Sequence, residues 1–173
     1  MILPRSFYLH SDVTELARST LGKVLVTRFE GALTSGIITE TEAYAGPTDR
    51  ASHAFGGRRT ARTEIMYRTG GTAYIYLCYG IHSLFNIVTN HKDIPHAILV
   101  RGIFPLEGME IMASRSRVGN IGNNSGNGPG KLTILLGIHY HHSGMDLTTG
   151  AKAGGNAIRS EERRVGKECR SRW

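Results

Sequence analysis

Two carboxylates, Glu40 and Glu42, stand two residues apart in the segment ITETEAYAGPTDRASHAF, residues 38–55. If residues 38–44 form a strand, side chains alternate between its faces, and Ile38, Glu40 and Glu42 share one face. Paired carboxylates can divide general acid and general base work, and a carboxylate can equally be the partner of a basic side chain. The residue types alone leave the roles of Glu40 and Glu42 open.

Aromatic side chains further along could line a binding site or could simply build the fold. In TAYIYLCY, residues 72–79, alternation places Tyr74 and Tyr76 on the same face. Periodicity alone favours core packing for these two rings, whereas Tyr79 precedes Gly80 at a turn and has less core to enter. Polar residues nearby have equally ordinary structural interpretations: His53, Asn86 and Arg101.

The elements that must position these side chains follow from the hydrophobic pattern. Ser11 or Asp12 can cap a helix that ends at Gly22, with apolar residues at helical spacing. Two strands are predicted around the Glu30-Gly31 turn, and residues 44–71 form a long loop with room for one helical turn. Later elements are predicted as strands 72–79, 84–89 and 97–104, a helix over 105–116, a Gly/Asn linker over 118–130 and a short helix over 132–136. Hairpins outnumber crossover units, so the pattern predicts a single α+β domain.

Composition narrows the class of protein. With 173 residues, of which 40% are hydrophobic, the chain can form one domain with a sizeable core. No segment resembles a signal peptide or approaches the roughly 20 apolar residues of a membrane helix, so we expect a soluble, cytoplasmic protein with no membrane partner. Cys78 and Cys169 form no CxxC pair, so neither a disulfide framework nor a structural zinc site is predicted. We expect no metal at the histidine cluster in GIHYHHSG, whose role stays open: His139, His141 and His142.

The net charge of +7 indicates a polyanionic partner, although part of it comes from the last fifteen residues. Residues 159–173, RSEERRVGKECRSRW, carry six Lys/Arg and three Asp/Glu, and removing this +3 leaves +4 on residues 1–158. The segment could be a solvated end or a basic arm. It looks more like the in-frame translation of a widely used sequencing adapter. We therefore expect a domain over residues 1–158, truncated before its closing strands, and a non-native tail over 159–173.

Five motifs together resemble one protein family. They are ETEAY at 40–44, SHAFGGRRTARTEIMY at 52–67, AYIYLCYGIHSLFN at 73–86, LVRGIFPLEG at 99–108 and GPGKL at 128–132. In this order they resemble the alkyladenine (3-methyladenine) DNA glycosylase family, the type without a helix-hairpin-helix, over roughly residues 6–147. The resemblance implies a mainly antiparallel curved sheet with flanking helices.

The resemblance also implies catalytic roles. Glu42 matches the general base that activates water, and Arg101 matches the residue that helps to hold this water. Glu40 is then expected to be the structural partner of a basic side chain, because a cationic alkylated base can leave without a general acid. No lysine lies at the matched catalytic positions, so the enzyme should be monofunctional. The resemblance also implies that no cofactor or metal is required.

Further positions match the family's DNA-binding residues. Tyr79 matches the wedge that fills the space left by the flipped base, and Asn86 matches the residue that disfavours guanine. Arg62 and Lys131 are candidates for phosphate contacts. Three side chains match the walls that stack on the flipped base: Tyr44, His53 and Tyr76.

The implied function is that of a monomeric DNA glycosylase acting in base-excision repair. Such an enzyme flips and hydrolytically excises alkylated or deaminated purines from double-stranded DNA, among them 3-methyladenine, 7-methylguanine, hypoxanthine and ethenoadenine. The alternative is a non-catalytic nucleic-acid-binding module on a similar scaffold. Both would bind phosphates, but only the enzyme needs Glu42.

Overall fold

Six antiparallel strands form the sheet on which the chain is built. The computed structural model describes residues 1–117, 119–150 and 155–163. The strands are β1 (Val24–Phe29), β2 (Ala32–Tyr44), β3 (Ala73–Cys78), β4 (His82–Thr89), β5 (His96–Glu107) and β6 (Ala157–Glu161). Their order in the sheet is β3-β4-β5-β2-β1-β6. Neighbouring strands are antiparallel throughout, which confirms the predicted α+β class.

In the described part of the chain, four short α-helices flank the sheet: α1 (Arg5–Tyr8), α2 (Val13–Thr20), α3 (Met109–Ser116) and α4 (Pro129–Leu136). Helix α2 confirms the predicted cap, because the Asp12 carboxylate accepts hydrogen bonds from the backbone N–H groups of Thr14 and Glu15. Its apolar side chains pack into the main core. Within the described ranges, no helix is long and apolar enough to cross a membrane.

The two faces of β3 pack into different apolar clusters. Ala73 and Ile75 belong to the main core, whereas Tyr74 and Tyr76 face a second cluster that contains Met66 from the long loop. This division confirms the predicted alternation along β3. The loop therefore covers the tyrosine face of the sheet.

The long loop contains three 3₁₀ turns rather than one: Gly46–Thr48, Phe55–Gly57 and Glu64–Tyr67. Arg59 fixes its return path by pairing with Glu64 at 2.7 Å and Asp93 at 2.9 Å. The same guanidinium lies 4.5 Å from the ring centre of Tyr67. Arg59 therefore has a structural role in the loop.

A β-bulge in β2 makes the predicted face assignment wrong for Ile38. The β2–β5 register shifts between Ile38 and Glu40 and again between Glu40 and Thr41. Ile38 is buried in the core, and the Thr41 hydroxyl donates to the Ala17 carbonyl of α2 at 3.1 Å. The bulge thus changes the alternation, so that Glu40 and Glu42 lie on the face away from α2.

The predicted helix start at Pro105 is also wrong. Pro105 lies inside β5 opposite Gly36, where the register shifts by a bulge, and a bulge is a position at which a strand tolerates proline. Helix α3 begins only at Met109, after Gly108 with φ of 77°. A Cβ on Gly108 would come within 2.4 Å of the Leu33 carbonyl oxygen, so this turn requires glycine.

Strand β6 crosses the predicted boundary between domain and tail. Residues 159–161 pair with residues 24–26 of β1, and the Leu3 N–H donates to the Ser160 carbonyl at 2.9 Å. The edge of β1 is therefore paired by a strand that includes the first residues of the predicted tail. The non-native origin of residues 159–173 stays a prediction, and residues 164–173, with Cys169, lie outside the described residues, as does Val118.

Candidate active site

One arginine bridges the two carboxylates of β2. Arg101 Nε donates to Glu40 Oε1 at 2.9 Å, and Arg101 Nη1 donates to Glu42 Oε2 at 2.6 Å. These bonds raise the pKa of the Arg101 guanidinium, the bond to Glu40 being the larger cause. Two like charges are therefore tolerated side by side because a cation lies between them. The structure therefore brings together Glu42, the predicted general base, and Arg101, the predicted water-holding residue.

The β2–β5 pairing positions Arg101 for this bridge. Glu40 pairs with Gly102 and Thr41 pairs with Val100, so Arg101 lies between two ladder pairs at the bulge. Its backbone carbonyl accepts a hydrogen bond from the Gly128 N–H at 2.9 Å, which ties the strand to the start of α4. The arginine thus projects from a backbone that is held on both sides.

The second oxygen of Glu42 is held by Tyr44. The Tyr44 hydroxyl donates to Glu42 Oε1 at 2.9 Å. Burial, and then the hydrogen bond to Glu42, raise the pKa of Tyr44 far above its ordinary value. Both oxygens of Glu42 therefore have fixed partners, while 41% of its side-chain surface stays accessible to solvent. The carboxylate is oriented and still open to a water molecule.

A pocket lies beside Glu42, between the long loop and the tyrosine face of β3. Four of the predicted residues line it, with five others from the loop and strands: Tyr44, His53, Tyr76 and Asn86, with Ala51, Ser52, Met66, Tyr74 and Ala97. The His53 and Tyr76 rings meet edge to face, with centroids 4.6 Å apart. Tyr74 was predicted only as a core residue, because alternation does not reveal which core face also opens to a cavity.

Polar contacts hold both nitrogens of the His53 ring. Its Nδ1 lies 2.8 Å from the Tyr74 hydroxyl, and its Nε2 lies 3.3 Å from Arg62 Nη2. Burial, and secondarily the Arg62 charge, lower the pKa of His53 and so favour the neutral ring. Because a guanidinium can only donate, a neutral ring in this position accepts at Nε2 and donates from Nδ1 to the Tyr74 hydroxyl. The ring orientation is therefore set from both ends.

Asn86 is a buried polar residue of the pocket, with 3% of its surface exposed. Its side-chain nitrogen donates to the backbone carbonyls of Tyr74 at 3.2 Å and Leu84 at 3.3 Å. These bonds bind the amide to the β3–β4 hairpin. Asn86 is consequently a rigid part of the pocket wall and does not close a turn.

The β3–β4 hairpin ends in an exposed apolar tip. Three residues connect Cys78 to His82, and Tyr79, with φ of 51°, is 93% exposed. Ile81 beside it is 75% exposed. The sequence indicated Tyr79, but Ile81 was missed, although its position next to Gly80 in the same short turn was a usable signal.

The two basic residues predicted to contact phosphate occupy different surroundings. Arg62 lies 5.0 Å from the Tyr76 ring centre, at the pocket, in addition to its contact with His53. Lys131 is exposed in the first turn of α4. Its neighbour Gly130 packs against the hairpin, where an added Cβ would lie 3.1 Å from His82 Cγ. Lys131 and the hairpin tip are therefore close neighbours in the fold.

The histidine cluster forms a separate feature. The His139 and His141 rings stack with centroids 5.3 Å apart, and His142 stacks on Phe29 at 4.1 Å. In the part of the chain that the structure describes, no three His, Cys, Asp or Glu side chains are arranged to hold a metal ion. The cluster lies outside the pocket and the Glu42 site.

Comparison with known proteins identifies the family. The family model for methylpurine-DNA glycosylase matches residues 6–170. A 3-methyladenine DNA glycosylase of Chlamydia abortus is 51% identical over 149 residues, which cover 86% of this chain and 78% of that protein. Similarly named proteins of Clostridium perfringens and Bacillus licheniformis are 43% identical over 169 residues and 48% identical over 146 residues. These alignments cover 94% and 84% of this chain, and 77% and 73% of the relatives.

These matches confirm the family expected from the sequence and favour the enzyme over the binding module. The family model and the alignment to the Chlamydia abortus protein both include the region that contains the pocket and the Glu42–Arg101 pair. The chain belongs to the methylpurine-DNA glycosylase family and is a hydrolase that cleaves N-glycosidic bonds in DNA.

Proposed function

We propose that this chain acts as a monomer that flips alkylated and deaminated purines out of duplex DNA and excises them by water attack, as a step of base-excision repair. The observation that carries the proposal is the position of Glu42. Its carboxylate is fixed between Arg101 and Tyr44, and Tyr44 also lines the aromatic pocket. A base in the pocket would therefore lie next to an oriented carboxylate.

The proposed reaction uses Glu42 as the general base. A water molecule beside the Glu42–Arg101 pair loses a proton to Glu42 as its oxygen bonds to the sugar carbon C1′. The bond from C1′ to the base nitrogen breaks, and its electron pair leaves with the base. The carboxylate also faces the positive charge that develops on the sugar. The products are a free base and an abasic site.

The substrates are purines whose rings are modified, with 3-methyladenine, 7-methylguanine, hypoxanthine and ethenoadenine as candidates. Tyr44 lines the pocket together with the edge-to-face pair of His53 and Tyr76, and aromatic walls of this kind favour a flat ring. A 3-methyladenine or 7-methylguanine base is cationic in DNA, so its attraction to the electron-rich ring faces adds to stacking. It also leaves as a neutral molecule without prior protonation.

Selection against normal guanine is assigned to Asn86. Its amide is buried and bonded to two backbone carbonyls, so it cannot move aside for the exocyclic amine of guanine. Because the Asn86 amide is fixed, the guanine amine would meet it without a suitable hydrogen-bond partner, and a buried unpaired polar group costs binding free energy. Hypoxanthine, which lacks that amine, avoids the contact. 7-Methylguanine carries the amine, so its positive charge must offset this cost through stronger attraction to the aromatic ring faces and easier departure.

Extraction of the base is assigned to the hairpin tip. Removing a base from the stack costs a few kcal/mol, and an inserted side chain can occupy the vacated space. Tyr79 projects into solvent from a turn with no other packing role. Arg62 and Lys131 would hold the flanking phosphates, with an affinity that falls as salt concentration rises.

Base release from defined duplexes tests this proposal. Duplexes carrying one hypoxanthine, ethenoadenine or 7-methylguanine are incubated with excess protein, and free base is quantified against an undamaged duplex. Glu110→Gln serves as the matched control for Glu42→Gln, because Glu110 is an exposed residue of α3 outside the pocket. We expect release of the modified bases by the parent and by Glu110→Gln at equal rates. Release of none of these bases by folded protein that binds the duplex would contradict the proposal.

A further inference from the structure

We infer that Glu40 is a positioning residue for the hydrolysis, which it supports by holding Arg101 in place for Glu42. The inference rests on the proposed function, because it assumes the roles assigned there to Glu42 and Arg101. Glu40 binds Arg101 through Nε, and Glu42 binds it through Nη1. A planar guanidinium held at two of its nitrogens by two carboxylates has one orientation.

The backbone around Glu40 is arranged for this contact. The bulge at residues 39–40 directs Glu40 toward Arg101, and bulges commonly redirect side chains next to active sites. Gly102, opposite Glu40, is buried, and a Cβ there would lie 2.9 Å from Thr39 Oγ1 and 3.3 Å from the Glu40 Cβ. Glycine at this position therefore allows the bulged segment and the arginine-bearing strand to approach each other.

Stability alone does not account for Glu40. Its side chain is 57% exposed and Arg101 is 39% exposed, and ion pairs at such positions contribute little to folding. Glu40 contacts Arg101 and belongs to neither apolar cluster. The contact with Glu40 sets the position of Arg101 and the charge around it, so loss of Glu40 should lower the rate of base release.

The charge of Glu40 also acts on the electrostatics around Glu42. The charged and titratable groups that face Glu42 are Arg101 from β5, Glu40 and Tyr44 from β2, and Tyr76 from β3. Glu40 shares the positive charge of Arg101 with Glu42, so that one cation offsets two carboxylates. Loss of the Glu40 charge alone alters this balance but keeps the bridge, whereas loss of the whole side chain also releases Arg101.

Two substitutions separate position from charge. Glu40→Gln retains an oxygen that can accept from Arg101 Nε and removes the charge, whereas Glu40→Ala removes both. Single-turnover release of hypoxanthine is measured from pH 5 to pH 9 for the parent and both variants, together with thermal unfolding and duplex affinity. We expect Glu40→Ala to be about 10- to 100-fold slower than the parent, since a misplaced catalytic group costs this much. Glu40→Gln should lose about fivefold or less, because it keeps the oxygen that accepts from Arg101.

The outcomes distinguish this inference from the proposed function. Normal release by the parent and equal release by Glu40→Ala would overturn the role of Glu40 alone. A fall in melting temperature of more than about 4 °C in Glu40→Ala would indicate a structural role and overturn the inference as well. Absence of release by the parent would overturn the proposed function, and the role of Glu40 with it. Unchanged melting temperature and duplex affinity with a slower rate would support the inference.

Discussion

Replacement of Arg101 gives the most informative perturbation of the site, because one side chain bonds to both carboxylates. In Arg101→Ala, Glu40 and Glu42 lose their shared cation and repel each other. The side chains of the two ion pairs are 39–57% exposed, and each such pair contributes at most about 1 kcal/mol. Loss of both pairs therefore costs at most about 2 kcal/mol, which lowers the melting temperature of a domain of this size by at most about 4–8 °C. The variant should therefore fold.

The rate should respond far more strongly than the stability. Arg101 orients Glu42 and is assigned to hold the attacking water, so we expect base release to fall by about 100-fold or more in Arg101→Ala. This loss should exceed that of Glu40→Gln, in which Arg101 is still present.

Arg101→Lys is the control for charge. Lysine restores a positive charge but not the planar group that contacts two carboxylates at once. We expect the melting temperature to recover and the rate to stay at least about tenfold below the parent, measured as single-turnover release of hypoxanthine. A lysine variant as fast as the parent would refute the argument that the two-carboxylate bridge matters.

Three further predictions concern single side chains. Tyr44→Phe keeps the pocket wall but removes the hydroxyl that donates to Glu42, so single-turnover release should slow by about tenfold with unchanged duplex affinity. Tyr79→Ser should leave the melting temperature unchanged, because the side chain is 93% exposed, and should reduce base flipping, measured by the fluorescence of 2-aminopurine beside the lesion. Burial, with His141 and His139, lowers the pKa of His142 to about 4, so the unfolded chain binds this proton first. Stability should therefore fall by about 1 kcal/mol as the pH drops from 6.5 toward 4, a discounted value for a half-exposed ring. Unfolding of His142→Phe should show a smaller loss over this range.

Local patterns predicted those parts of the fold that local physics determines. The Asp12 cap and the alternation of Tyr74 and Tyr76 depend on neighbours within a few residues, and both predictions are confirmed. The β2 bulge and Pro105 inside β5 depend on how two distant strands pair. No signal near Ile38 reports an extra residue in the ladder, so simple alternation assigned the wrong face.

The same distinction applies to the candidate site. The motif order singled out Glu42 and Arg101 but could not show that one guanidinium bonds to both Glu40 and Glu42, since 61 residues separate Arg101 from Glu40. The position of Arg62 over Tyr76 likewise depends on the path of the long loop. The motifs therefore predicted the roles of single residues. The contacts between these residues depend on how β2, β3 and β5 pair in the folded sheet.

The proposal that Glu42 activates water is tested most directly by Glu42→Gln. This substitution keeps the size and a hydrogen-bonding oxygen but removes the ability to accept a proton at neutral pH. Single-turnover release of hypoxanthine from a duplex is measured for the parent and the variant, with duplex affinity determined in parallel. We expect equal affinity and a loss of rate of at least about 100-fold, the usual contribution of a general base. Release by Glu42→Gln at the rate of the parent would contradict the proposed mechanism.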